Sequence, residues 1–589
     1  MRLPPARQAL SAVSAIAGVV VVLLPVVWTL DPARALSVRF VGEQLLCALL
    51  ASAVIFILLD AARNARAAAV LVLVAGSIVA AAAGAYLIAH FGSDAALFVR
   101  PTPLILAVSV SVMVTVTWAV GLSSGRAMVI LVVATLAVGY LAQYFGAPFH
   151  AAPVSVARYV TYMVVGGDAF LGQALAVIGG TVTLFILFGA VFEASGGTAA
   201  LDILALRLAR GGSGVAIKAT IISSALFGTV SGSATSNVLT SGAVTITGMR
   251  RMGVPAPQAG GIEALSSTLG QLTPPVMGAA AFLMADISGI PYGKIALSAA
   301  IPAAICYVIM LLHANRYGRS IEATRTEAPP NDTPPPLKWS MLWHIAPFAA
   351  ITITMVGGDR ATAMAGVMGA ATAAAVGIVL LGPRGFVARL RDVMPRTMRA
   401  MAMLVLAGSG LGVVVGALNL TGLDVSLALG LVHLGEASLF LSLVLTALAA
   451  LVLGAGLSTS GVYIVVASLL VPGLVQLGVE PIAAHMFVLY FGVVSMITPP
   501  VAFAALAASG ISGARFSETA FAAMRFGWFL YVLPFLLVFF PGLLLAAPLP
   551  ETIATLATAV AILAGAGWLS GRATSSRHAL ARDVGVGPD

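Results

Sequence analysis

Apolar stretches of about 20 residues, the length needed to cross a bilayer as a helix, recur along nearly the whole 589-residue chain. Such a pattern cannot close around one water-soluble core. Sixty per cent of the residues are apolar and only 9% are charged, against about a quarter charged in soluble domains. The expected class is an all-α polytopic membrane protein. Spans are expected at about 11–30, 40–60, 67–91, 102–121, 127–147, 172–192, 295–312, 341–357, 361–382, 400–417, 525–546 and 551–570. The longest polar interval, 313–340, contains the proline-rich run 328–336 and is too short to bury a core, which predicts a cytoplasmic tether. Residues 571–589 read as a polar tail.

The net charge of +9 does not point to nucleic acid, because the arginines sit in short loops between spans, where cytoplasmic loops concentrate them. A cytoplasmic N-terminus keeps Arg63, Arg66, Arg126, Arg207, Arg210, the cluster Arg384, Arg389, Arg391, Arg396 and Arg399, and the tail Arg572, Arg577 and Arg582 inside. Only Arg34, Arg39, Arg100, Arg158 and Arg360 oppose that orientation, which places both termini in the cytoplasm. Arg2, Arg7, the apolar run Ala9–Leu30 and Ala33-Arg34-Ala35 imitate a signal peptide. The run is longer than the roughly 7–15 residues of a signal core, so a retained span is expected. Cys47 and Cys306 both lie in apolar stretches, which argues against a disulfide framework or a transition-metal site.

Two regions break the span pattern. Residues 219–249 are mostly apolar but interrupted by Gly228-Thr-Val-Ser-Gly-Ser-Ala-Thr-Ser-Asn237, with Lys218 before and Arg250-Arg251 after, which predicts a re-entrant hairpin of two half-membrane arms. Residues 256–286 would form one span were it not for Thr273-Pro274-Pro275, because proline removes backbone donors and breaks the helix. The pair recurs about 225 residues later. Thr273-Pro-Pro-Val276 becomes Thr498-Pro-Pro-Val501, Met252-Gly-Val254 becomes Leu477-Gly-Val479, and Ile287-Ser-Gly289 becomes Ile511-Ser-Gly513. A second interrupted segment at 438–477 carries Gly454-Ala-Gly-Leu-Ser-Thr-Ser-Gly461 at its midpoint. Basic residues flank the first hairpin and Glu436 and Glu480 the second, so the two are expected to enter from opposite faces. Inverted repeats with broken helices are a transporter architecture whose site lies where the breaks meet.

Irregular backbone at membrane depth persists only where it is enclosed by protein or lines a polar cavity. A hard cation such as Na⁺ wants several oxygens, and the first break offers Ser231, Ser233, Thr235, Ser236 and Asn237 beside the carbonyl of Gly232. The second offers Ser458, Thr459 and Ser460 beside Gly456, and the prolyl breaks add Thr273 and Thr498. Any single Ser or Thr is more often bonded to its own helix; clusters at two related breaks are less readily dismissed. Glu263, followed by Ser266, Ser267 and Gln271, is the cavity candidate among the intramembrane carboxyls, with Pro274 and Pro499 at the same breaks. Glu193 and Asp286 lie near span ends. No nucleophile–base pair, metal-ligand cluster or phosphate loop supports the rival reading as a membrane enzyme. A channel remains the second rival.

The run Gly228–Val238, then Glu263-Ala-Leu-Ser-Ser-Thr-Leu-Gly-Gln-Leu-Thr-Pro-Pro-Val-Met-Gly-Ala-Ala-Ala-Phe282, then Ile290-Pro-Tyr292, resembles the large membrane subunit of tripartite ATP-independent periplasmic (TRAP) transporters. The resemblance is greatest to the TAXI subgroup, whose small and large subunits are fused. It covers roughly 150–570, with 1–150 matching a small subunit in position and hydropathy only. It implies 1–150 as scaffold, 151–312 as the first repeat and 341–570 as scaffold helices and the second repeat. It further implies an elevator-type importer in a bacterial or archaeal inner membrane, working as a monomer without a cofactor. Such an importer takes an organic acid from a periplasmic substrate-binding protein and couples uptake to Na⁺, with H⁺ as the alternative. By the same resemblance, the oxygen-rich breaks at 231–237 and 458–460 and the two TPP breaks form the cation and substrate sites. Thr273 departs from the methionine or similar apolar residue expected in the subgroup.

Overall fold

The computed structural model describes residues 5–31, 42–91, 102–145, 153–209, 213–324, 336, 338–356, 362–454, 456–545, 548 and 550–559. These form helices and turns, and no strand occurs among them. Nine of the described helices are long and apolar enough to cross a membrane, and the bent pair Phe516–Phe526 and Phe529–Phe539 would make a tenth. The chain is an all-helical polytopic membrane protein.

The first five helices, Pro5–Leu30, Gly42–Ala62, Ala67–His90, Pro103–Ser124 and Arg126–Leu141, follow the expected spans closely. Local chemistry sets their ends: Thr102 accepts the Ile105 N–H at 3.3 Å with Pro103 at the first helical position. Leu71, Val72, Ile78 and Val79 stand exposed on Ala67–His90, an apolar face suited to lipid rather than water. At the centre the situation reverses. Every residue from Ala259 to Gly270 and from Ile482 to Val494 is buried, so the two broken helices form the innermost layer.

Around that layer the halves interlock. The second arm of the first hairpin, Ala234–Arg251, lies on Phe503–Ser512, and the second arm of the second hairpin, Thr459–Gln476, lies on Ala279–Ser288. Arg250 reinforces the first contact by donating to the carbonyl of Ser512 at 3.0 Å. That carbonyl ends a helix, where a cation is favoured.

Three expectations need correcting. Residues 313–324 are not tether but the continuation of Tyr292–Thr324. Tyr317 and Ile321 give that polar stretch a packed face, with Tyr317 5.3 Å from the ring of Phe526 and Ile321 against Gly253. Glu322 also accepts the Gly214 N–H at 3.2 Å. Second, the arginine cluster 384–399 is helical rather than a loop: the helix that begins at Thr362 ends at the left-handed Gly382 (φ 72°), and a second helix starts there and carries the cluster on to Thr421. Third, the hairpin arms are longer than half a membrane. Val215–Ser231 and Ala234–Arg251 contain 17 and 18 residues, about 26 Å each at the α-helical rise, because the helices run through Lys218 and Arg250-Arg251 instead of stopping at them. The 328–335 part of the tether and the 571–589 tail lie outside the described residues.

Candidate functional site

The first break is smaller than its sequence suggests. Only Gly232 and Ser233 leave helical geometry: Gly232 takes the left-handed conformation (φ 63°), and Ser233 caps the next helix by accepting the Ser236 N–H at 3.4 Å. The antiparallel arms are tied by Asn237, whose side-chain amide donates to the Ser224 carbonyl at 3.1 Å. Ahead of the tip, the first arm crosses the broken helix glycine on glycine. A Cβ on Gly228 would sit 2.5 Å from the Cα of Gly270. That crossing carries Gly232 to the second break, with a Cβ position 3.7 Å from the Ala279 nitrogen and 3.9 Å from the Met277 carbonyl oxygen. The two interruptions of the first half therefore meet.

Glu263 sits in a polar knot beneath this junction. Its side chain is fully buried and accepts hydrogen bonds from Ser224 (3.2 Å), Ser241 (2.8 Å), Ser267 (3.1 Å) and Thr245 (2.7 Å). No lysine or arginine among the described residues pairs with it. Both arms and the broken helix contribute donors, so one carboxyl fastens three segments. Asn237 joins the knot through Ser241, which reaches its Oδ1 at 3.1 Å. In the register of the repeat the counterparts of Ser224, Asn237, Ser241, Thr245 and Glu263 are Ala449, Val462, Val466, Leu470 and Val488, all apolar. The knot belongs to the first half alone.

The prolyl breaks, by contrast, are built alike. Pro274–Pro275 and Pro499–Pro500 are both cis, and Met277 (φ 61°) and Ala502 (φ 44°) both take left-handed backbone. Thr273 bonds the Leu269 carbonyl at 3.0 Å and lies 2.6 Å from the hydroxyl of Tyr307; Thr498 bonds the Val494 carbonyl at 2.8 Å and lies 2.6 Å from that of Tyr531. Tyr292 donates to the Val276 carbonyl and stands 3.2 Å from that of Pro275, taking up acceptors that the break releases. Thr273→Val and Tyr307→Phe should each lower stability by about 1 kcal/mol. Because they share one contact, the double variant should be little worse than either single. Thermal midpoints of the purified protein check this, and strict additivity would count against the pair.

The candidate residues fall into four groups. Gly232, Ser233, Thr235 and Ser236 surround the first tip, with Ser233 and Ser236 exposed; the Ser231 side chain lies outside the described set. Asn237, Glu263, Ser266 and Ser267 are fully buried, and Ser266 bonds the Ile262 carbonyl of its own helix at 2.7 Å. Gln271, nearly buried, closes the first prolyl loop through its carbonyl, which accepts the Gly278 N–H at 2.7 Å; Pro274 and Pro499 are half-buried at the two breaks. In the second hairpin Gly456 lies in the turn, Ser458 caps the next arm by accepting the Gly461 N–H at 3.4 Å, and Thr459 and Ser460 are buried in its first turn. Sequence reasoning missed Ser224, Ser241, Thr245 and the two tyrosines. The tyrosines had a usable signal, since Tyr307 and Tyr531 follow their TPP threonines by 34 and 33 residues.

A likeness to known proteins runs through these elements. The chain is 24% identical over 379 residues to the C4-dicarboxylate TRAP transporter large permease protein DctM of Pseudomonas aeruginosa, covering 62% of this chain and 85% of that one. Among solved structures it is similar in fold to the YdaH transporter of Alcanivorax borkumensis, with a TM-score of 0.51 and 18% identity over 70% of this chain and 98% of that one. The family model for the DctM component of tripartite ATP-independent periplasmic transporters matches residues 103–552, starting well ahead of the boundary expected at 150 and taking in both hairpins and both prolyl breaks. Over that span, most of its length, the chain belongs to the DctM component family of tripartite ATP-independent periplasmic transporters.

Proposed function

We propose that the chain is the permease of a secondary importer that moves a small organic acid across a bacterial or archaeal inner membrane. A periplasmic binding protein delivers the acid, and a cation gradient drives its uptake, with Na⁺ ahead of H⁺. The reading is carried by one observation, the contact between the Gly232 tip and the Met277–Ala279 backbone. Four helix ends converge there. Helices beginning at Ala234 and Ala279 point N-terminal N–H groups at the junction, which suits a carboxylate, while those ending at Ser231 and Gly270 bring carbonyls, which suit a cation. The Pseudomonas relative is named as a C4-dicarboxylate permease, which supports an organic acid as substrate class. In this reading the two hairpins enter from opposite faces and travel with the broken helices as an elevator, in a monomer with both termini cytoplasmic. Helices ahead of the family match serve as a fused, small-subunit-like scaffold of TAXI type.

Uptake by proteoliposomes supplied with the binding protein tests this. Saturable uptake that stops when both Na⁺ and H⁺ gradients are collapsed is expected; uptake indifferent to both would leave a channel instead. Asn237→Ala and Thr459→Val are each expected to lower cation-coupled uptake by roughly fivefold, the equivalent of one lost hydrogen bond, with insertion into the membrane unchanged. Unaltered transport and Na⁺ dependence in both variants would remove these residues from the site.

A further inference from the structure

A cavity of about 790 Å³, lined by no residue of either hairpin, lies between Pro5–Leu30, Gly42–Ala62 and the arginine-rich stretch after the Gly382 kink. Its size is that of a ligand site. The three helices also pack directly on each other at Gly18, where a Cβ would meet the sulfur of Met398 at 2.8 Å and the Phe56 ring at 2.9 Å. The cavity is cationic: Arg63, Arg391, Arg396 and Arg399 line it against a single carboxylate, Asp60.

The charges are not used up by the fold. Asp60 is shared by Arg63 (3.5 Å) and Arg399 (3.0 Å), and Arg396 pairs with Glu193 outside the cavity. Side chains of Arg396 and Arg399 remain 59% exposed, so each guanidinium keeps donors free. Exposed pairs of this kind hold little energy. Arg391 has no counter-ion among the described residues. A second, independent sign is Ser14. Ser14 is among the residues lining the same cavity and is 1% exposed, yet its hydroxyl has no partner among the described residues. Buried hydroxyls are normally satisfied.

The walls identify the occupant. Phe56, Val387, Leu390, Met394 and Met398 line the cavity along with the arginines, so a free anion would leave most of its wall uncovered. An amphiphile would not. We propose that this cavity binds one anionic phospholipid, its phosphodiester held by Arg391, Arg396 and Arg399 and its acyl chains laid along the apolar wall. Basic pockets between membrane helices are suited to such headgroups. The lipid would join the N-terminal helices to the arginine-rich helix beside the exposed ion pair, Asp60 with Arg399, that links them there.

Full-length protein, purified and stripped of lipid in detergent, is titrated with phosphatidylglycerol, phosphatidylcholine and inorganic phosphate, with bound lipid counted by native mass spectrometry. Phosphatidylglycerol is expected to bind in preference to phosphatidylcholine. Arg391→Gln, which breaks no contact of the fold, should weaken it about fivefold, the effect of one basic side chain at an anionic surface, while Arg391→Lys restores most of the affinity. Equal binding of the two lipids, or an unchanged Arg391→Gln, overturns the proposal. Competition by inorganic phosphate at the same concentration as the lipid also overturns it, assigning the site to a free anion.

Discussion

Replacing Glu263 with alanine is expected to abolish uptake and to lower stability by roughly 3–5 kcal/mol, read as a large drop in the thermal midpoint of the purified protein. The figure joins the cavity left by a fully buried side chain to the acceptor lost by four hydroxyls. The four do not suffer equally. Ser241 also reaches the Asn237 carbonyl at 2.9 Å and Thr245 the Ser241 carbonyl at 3.1 Å, so both have a fallback. Ser224 and Ser267 make no second bond among those described. Ser241→Ala should therefore cost only about 1 kcal/mol, and Glu263→Gln, which keeps the shape and one acceptor, should fall between. Wild-type stability in Glu263→Ala would mean that the knot does not hold the hairpin to the broken helix.

That knot bears on how the halves can move. A carboxyl bonded from both arms and from the broken helix turns three segments into one body. The second repeat has only apolar residues at the matching positions, and its hairpin is held by packing, supplemented by Tyr463 at 2.8 Å from His485. Packing contacts slide more readily than directional bonds break. In an elevator, the first hairpin would then travel rigidly with its broken helix while the second has more freedom to part from its own.

How much of this was legible follows from where the information lies. Breaks are written locally, in residues a helix rejects, so the TPP runs and the glycine-serine tips could be found and their recurrence about 225 residues later recognised. Helix ends were less readable. Lys218 and Arg250 look like boundaries by charge, yet Arg250 is absorbed by the Ser512 carbonyl, 262 residues away. Polarity misled in the same way at 313–324, where Tyr317 and Ile321 find partners on other segments. The role of Glu263 was least accessible. Its type and placement marked it as special, but three of its donors come from 39, 22 and 18 residues upstream, on arms whose hydroxyls look like any others.

The glycine crossing offers the sharper structural test, because the two repeats solve it differently. At Gly228 and Gly270 neither side has room: a Cβ on the first would lie 2.5 Å from the Gly270 Cα, and one on the second 2.7 Å from the Gly228 Cα and 3.1 Å from the Ser224 carbonyl oxygen. Carbon atoms sit comfortably about 3.5–4.0 Å apart, so even Gly270→Ala must push the arm outward by about 1 Å. The movement draws Ser224 away from both Glu263 and Asn237. In the second repeat the residue in register with Gly270 is Ser495, and Gly454 packs directly against it. One glycine suffices there because the arm is set to accept a side chain. Exchanging the residues at these matched positions should therefore give opposite results. Gly270→Ser is expected to cost about 1–3 kcal/mol as an overpacked contact and to suppress uptake. Ser495→Gly removes the small CH2OH group that faces Gly454, with its hydroxyl bonded to the Gly492 carbonyl at 2.7 Å, and overpacks nothing, so it should keep most of both stability and transport. If thermal midpoints and proteoliposome uptake show Gly270→Ser to be as mild as Ser495→Gly, the first arm is not pressed against the broken helix. The Gly232 tip then loses the contact that brings it to the prolyl break.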